Sequence, residues 1–291
     1  MREARQIARA PNGRAYAGIF RMKLIAGLQY RAAAWAGVGT QFFWGGINLL
    51  VFAAFYQSAG YSGAAISVAG ISGDGPMSFA QLADLVWMRQ AFLALVMLWS
   101  MDNELLDMIA GGNVAYELCR PFTLYTFWFS RILALRISRT LLRCVPILVI
   151  AFLLPEPWRF HLPADPAAAL LFIPSLILAA LLVTALSMFT CVLTFVSLSP
   201  YGGRLIMGAL GEFLMGTLIP IPFMPPGLRR VVEYLPFRYT ADFPFRLYSG
   251  HIAGNEALGG LALQFCWTFV LIALGLLCFR SIQRRIVIQG G

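Results

Sequence analysis

The residues able to do chemistry are few and unevenly spread. Of 13 carboxylates in 291 residues, four (Asp102, Glu104, Asp107 and Glu117) fall within SMDNELLDMIAGGNVAYELCRPFTLYTFWFSR, Ser100 to Arg131. A Gly-Gly-Asn break at Gly111, Gly112 and Asn113 is followed by a short amphipathic run that stops at Arg120-Pro121. Such a polar, structured segment suits docking of a soluble partner better than acid–base work. The two histidines, His161 and His251, lie far apart, and no H-E-x-x-H or comparable zinc pattern is present. Glu156, His161 and Asp165 are close in sequence, but a proline-rich surface loop explains them. No G-x-x-x-x-G-K-[ST] and no G-x-S-x-G occurs, so neither P-loop nucleotide binding nor an esterase elbow is expected. The remaining candidates are Arg89 and Glu212, ionisable groups inside apolar stretches, where such groups carry function or pair with one another. Pairing that holds two helices together is the preferred expectation.

The elements that must position these groups are set by composition. Hydrophobic residues make up 59% and charged residues 12%, with a mean hydropathy of +0.74, against about 25% charged in a typical soluble domain. No soluble core buries so much apolar surface; the bilayer must act as solvent, which implies an all-α polytopic membrane protein. The net charge of +9 comes from 22 basic residues, of which only Lys23 is lysine, and the arginines cluster at the ends of apolar spans. That pattern fits membrane lipid headgroups and excludes a nucleic-acid face. The five cysteines show no C-x-x-C pair and suggest neither a disulfide framework nor a metal site. The start, MREARQIARAPNGR, lacks the apolar core and small-residue site of a cleaved signal peptide.

Three parts are expected: an N-terminal segment with an interfacial helix (1–31), a six-helix transmembrane domain (32–280) and a tail (281–291). Tyr16, Phe20, Leu24 and Leu28 recur every four residues, which suits a helix lying in the interface with that side toward lipid. The spans are read as about 32–56, 79–101, 127–154, 167–198, one beginning near 205, and 261–279. In the first, Gly37, Gly39, Gly45 and Gly46 would admit a close neighbour. The third carries Arg131, Arg136, Arg139 and Arg143, the last three on one helical face. Their side chains are expected to reach headgroups, an acidic partner surface or a water-filled cavity, and Pro146 to kink the helix. Pro220, Pro222, Pro225 and Pro226 then open a segment, 218–250, that is too proline-rich for an ordinary helix and too apolar for a free loop. A re-entrant or interfacial hairpin on the outer side is expected there. With both termini inside, 13 basic residues fall on the cytoplasmic side, 5 outside and 4 within spans, as the positive-inside rule demands.

Several of these pieces coincide with one family. Gln29-Tyr30-Arg31-Ala32 leading into WAGVGTQFFWGGINLLVFAAFY resembles the start of type-2 ABC transporter permeases, nearest an uncharacterised bacterial branch. Gly111 to Leu118 followed by Arg120-Pro121 is similar to that family's cytoplasmic loop. Leu235-Pro236-Phe237, Pro244 and Tyr248-Ser249-Gly250 resemble its outer segment before the last span, and Ile288-Gln289-Gly290-Gly291 its tail. The resemblance implies an elbow helix, six spans, a coupling helix between spans two and three, and an outer re-entrant element. It also implies an exporter in the bacterial cytoplasmic membrane, in which a separate ABC ATPase subunit binds ATP and Mg2+ and a second permease subunit completes a homo- or heterodimer. Gly112, Asn113, Tyr116, Glu117, Leu118, Arg120 and Pro121 would then be the coupling site. Tyr116, Leu118 and Cys119 would enter a groove of the ATPase, with Glu117 and Arg120 at its polar rim. The chain itself would be neither an enzyme nor a cofactor binder. An ATP-independent secondary carrier or an integral membrane enzyme is the alternative.

Overall fold

The structure, a computed structural model, describes residues 13–58, 77–118 and 122–283. The described residues form helices and connecting turns, with no strand among them. Three helices are long and apolar enough to cross a membrane: α2 (Arg31–Ser58), α8 (Pro166–Ser197) and α12 (Gly254–Gln283). Their composition causes this. After Arg31 the first has no charge, the second has none at all, and the third has only Glu256 and Arg280 near its ends. A bilayer core of about 30 Å takes about 20 such residues.

Helix α8 is the hub. Along its second half Ala179, Leu182, Val183, Ala185 and Met188 are completely buried, and α7 (Leu124–Phe152), α9 (Gly202–Leu214), α11 (Asp242–Tyr248) and α12 all pack on it. Three of the buried hydroxyls there are satisfied by the helix's own backbone. Thr184, Ser187 and Thr194 donate to the carbonyls of Ala180, Val183 and Thr190 at 2.7, 2.7 and 2.9 Å, so they cost little in an apolar interior.

The other elements are shorter or more polar than uninterrupted spans. Ser78 and Gln81 form a capping box that starts α3 (Phe79–Ala91). The helix breaks at Phe92, resumes as α4 (Leu93–Val96) and ends at Met97, which is extended, before a turn at residues 98–99. The expected run to residue 101 is therefore cut short. With 29 residues, α7 is about 43 Å long at 1.5 Å per residue, and it continues unbroken through Pro146. Helix α9 has 13 residues, only about 20 Å. Beyond it come a 3-10 turn (Ile221–Phe223), α10 (Pro226–Tyr234), a second 3-10 turn (Arg238–Thr240) and α11. Residues 238–249 of this segment are all buried, which explains how an irregular, apolar backbone is tolerated.

The N-terminal helix corrects an expectation. In α1 (Gly13–Leu28) the four-residue periodicity holds: Tyr16, Phe20, Leu24 and Leu28 lie on its half-buried side, together with Lys23. That side faces protein rather than lipid. Tyr16 Oη accepts from the Thr123 N–H at 3.0 Å, and a Cβ on Gly27 would stand 2.1 Å from Ser138 Oγ. The missing side chain lets α1 run lengthwise against α7. Of the four glycines of the first span, Gly37 and Gly45 do admit close neighbours, Arg143 and Trp87, whereas Gly39 and Gly46 face nothing within 4 Å.

Candidate functional site

The polar stretch is built on α5 (Asn103–Ala110). Asp102 is its N-cap and accepts from the Leu105 N–H at 3.4 Å, the geometry that replaces a missing intrahelical partner. Leu105, Leu106 and Ile109 are buried on one face. The helix ends in a Schellman motif: Asn113 N–H donates to Met108 O at 3.0 Å and Gly112 N–H to Ile109 O at 3.2 Å. Gly112 has φ +74°, a conformation that glycine alone adopts without strain. The glycine break is thus a geometric requirement, and it redirects the chain into α6 (Ala115–Leu118), a single turn.

Two carboxylate contacts fasten this unit to α7. Arg131 donates through Nε to Asp102 Oδ2 at 2.5 Å and through Nη2 to Glu104. The Arg131 and Asp102 side chains are each 8% exposed, so this pair is desolvated. Glu104, 77% exposed, also lies 3.7 Å from Lys23 Nζ on α1. Near the tip, Glu117 accepts from Trp128 Nε1. Trp128 is completely buried, stacks on Phe195 of α8 at 5.8 Å and meets Phe279 of α12 edge-on at 5.7 Å. Leu105, Leu106, Ile109, Val114, Trp128, Cys191 and Phe279 belong to one apolar cluster. Through Glu117 and Trp128, α6 is thus linked to α7, α8 and α12. Arg204, in the first turn of α9, donates to Asn103 Oδ1 at 2.7 Å and ties that helix to the same unit.

The expected site residues divide. Gly112, Asn113 and Tyr116 are exposed at the tip, with Tyr116 at 76%. Glu117 and Leu118 are half-buried and turned toward their own chain, Glu117 on Trp128 and Leu118 against the apolar cluster. Tyr116, about 100° round the turn from Glu117, is the one of the three that points away from the chain. Cys119, Arg120 and Pro121 lie outside the described residues.

The Arg89–Glu212 pair does not form. Buried Arg89 donates through Nη1 to the carbonyls of Thr217 at 2.7 Å and Gly216 at 3.3 Å, just past the end of α9, while Glu212 is exposed. Carbonyls at a helix C-terminus lack intrahelical donors and carry partial negative charge, so a buried guanidinium is satisfied there without a carboxylate. Arg136 does the same for α4. It is 1% exposed, and its Nη1 reaches the carbonyls of Met97, Leu95 and Ala94 at 2.8, 3.1 and 3.4 Å, with Nη2 on Ser187 Oγ at 2.8 Å. The expectation that Arg136 reaches headgroups or a cavity is overturned. Arg139 and Arg143 do line a cavity, with Lys23. Pro220 and Pro222 are buried about the first 3-10 turn, and Pro225 and Pro226 are the N-cap and first residue of α10, where a missing N–H does no harm.

Two polar clusters escaped the sequence reading. Asp84 Oδ1 accepts from the His161 backbone N–H at 2.7 Å and lies 3.0 Å from its Nδ1, while Nε2 is 3.3 Å from Glu156. With Trp87 Nε1 donating to Trp158 O at 2.8 Å, Asp84 anchors the proline-rich loop to α3, a role that no residue spacing announces. The second cluster is Arg238, Asp242 and Arg246, where Asp242 Oδ2 is 3.4 Å from Arg238 Nε and 3.3 Å from Arg246 Nη1. Three charges at four-residue intervals in an apolar segment were the available signal.

No protein-family model, curated protein or solved structure matches the chain.

Proposed function

We propose that this chain is the membrane-spanning permease subunit of a type-2 ABC transporter, an exporter driven by a separate ATPase subunit and completed by a second permease subunit. In this reading α2, α3 with α4, α7, α8, α9 with the segment after it, and α12 are the six spans, and both termini lie in the cytoplasm of a bacterial cell. Helix α1 is the elbow helix, α6 the coupling helix and 218–250 the re-entrant element. ATP and Mg2+ bind the partner.

The observation that carries the reading is the mechanical character of residues 102–118. A coupling element must present a free tip and a stiff base, because a floppy loop dissipates displacement. Tyr116, Asn113 and Gly112 form an exposed tip. The base is fixed by the Arg131–Asp102 and Trp128–Glu117 contacts and by an apolar cluster shared with α7, α8 and α12. The length of α7, about 43 Å for 29 residues, exceeds the hydrocarbon by about 13 Å, which allows the Arg131 end to stand outside it.

The test is co-expression with candidate ATPase subunits and purification in detergent. Copurification that is lost in Tyr116→Ala, with the unfolding temperature of the permease unchanged, supports the reading. If no ATPase associates and transport proceeds without ATP, the secondary-carrier or membrane-enzyme alternative takes its place.

A further inference from the structure

At the junction of α1 and α2, where the helix breaks around Gln29 and Tyr30, a cavity of about 410 Å³ opens against α7. Its cationic lining is Lys23, Arg139 and Arg143, and apolar wall comes from Ala33, Leu135 and Leu142. Neither Arg139 nor Arg143 hydrogen-bonds or ion-pairs with a described residue, and Arg143 Nε is buried without a partner. The contrast with their neighbours on α7 is sharp, since Arg131 has two carboxylates and Arg136 has three carbonyls and a hydroxyl. Asp102 and Glu104 also line the cavity, but both are already engaged by Arg131. Two guanidiniums in a partly apolar cavity therefore lack counter-charge, a costly arrangement within a membrane unless an anion supplies it. A guanidinium fork matches phosphate oxygens in geometry. The apolar walls favour a ligand that brings hydrocarbon with its charge.

We infer that this cavity binds an anionic amphiphile, with a phosphate-bearing head on Arg139 and Arg143 and hydrocarbon along Ala33, Leu135 and Leu142. The inference needs only a membrane setting and no ATPase, so it can fail or hold independently of the transporter reading. Head and tail act together: the phosphate supplies the counter-charge, and the tail covers the apolar wall of Ala33, Leu135 and Leu142.

The experiment is native mass spectrometry of the full chain purified in detergent and titrated with short-chain phosphatidylglycerol, phosphatidylcholine of equal chain length, or inorganic phosphate. Saturable retention of phosphatidylglycerol, weakened about tenfold or more (1.4 kcal/mol per decade) in the Arg139→Gln/Arg143→Gln double variant, is expected. The Arg139→Lys/Arg143→Lys variant, which keeps the charge and loses the fork, should fall between wild type and the Gln variant, and Arg21→Gln, on the exposed side of α1, should retain all. Ala33→Leu, which keeps both arginines and fills the wall, should lose it as well, and decides the matter if the double variant does not fold. Retention unaffected by both the double variant and Ala33→Leu overturns the inference. So does equal retention of phosphatidylcholine, or displacement by inorganic phosphate at equal concentration, because a free anion would then suffice.

Discussion

Arg131 and Arg136 stand five positions apart on α7 and are both buried, yet they belong to two differently built regions. Around Arg131 the partners are side chains, Asp102 and Glu104, on a segment that also presents an exposed tip. Around Arg136 the partners are main-chain carbonyls at the end of α4 and one hydroxyl. Arg89 repeats the second solution at the end of α9. A desolvated carboxylate pair is charge-matched and little screened by salt, so it holds its segment stiffly while leaving the far end of that segment free. A guanidinium on a broken helix end is locked in place, because withdrawing it strands several buried carbonyls at once. The first arrangement suits the base of a segment that projects an exposed tip, the second one that keeps interrupted helices intact inside the bundle.

The largest effect is expected where the carbonyls are stranded. Arg136→Met should lower stability by about 4 kcal/mol or more, since each unsatisfied buried acceptor costs about 1–3 kcal/mol. Thermal unfolding in detergent would show it, and salt should not alter it. Arg131→Ala leaves Asp102 buried without its partner, a loss of about 3–5 kcal/mol. The double variant with Asp102→Asn should recover part of it, and a double-mutant cycle without coupling between the two positions would break the contrast drawn here. Gly112→Ala forces a side chain into φ +74° and should cost about 1 kcal/mol, seen as faster amide hydrogen exchange confined to the residues between α5 and α6. Glu104→Gln should change stability by less than about 1 kcal/mol, because that carboxylate is 77% exposed. Glu212→Gln should be silent to within about 0.5 kcal/mol; a large destabilisation would reinstate a pairing that the structure lacks.

Much of this was legible in the chain, for identifiable reasons. The charge-free runs of α2 and α8 and the near-charge-free α12 announce membrane-crossing helices because transfer to hydrocarbon depends on composition alone. The Gly111–Asn113 break was legible because only glycine meets φ +74° cheaply. The apolar stripe of α1 was legible as a period but not as a destination, since periodicity does not say whether protein or lipid covers it. Arg89 shows the opposite failure. Sequence offers only carboxylates as visible counter-charges, and the carbonyls at a helix end become partners only once the helix is known to stop there.

Sequence by itself thus determined an apolar, helical, membrane-class chain, the position of its one dense polar segment, and the glycine that turns it. Hydropathy, charge and backbone permissiveness are properties of residues and travel with them. The tertiary structure decided which arginine is paired, which caps a broken helix and which faces a cavity. Arg131, Arg136, Arg139 and Arg143 are chemically identical, and only their neighbours from α1, α4, α5 and α8 make them different.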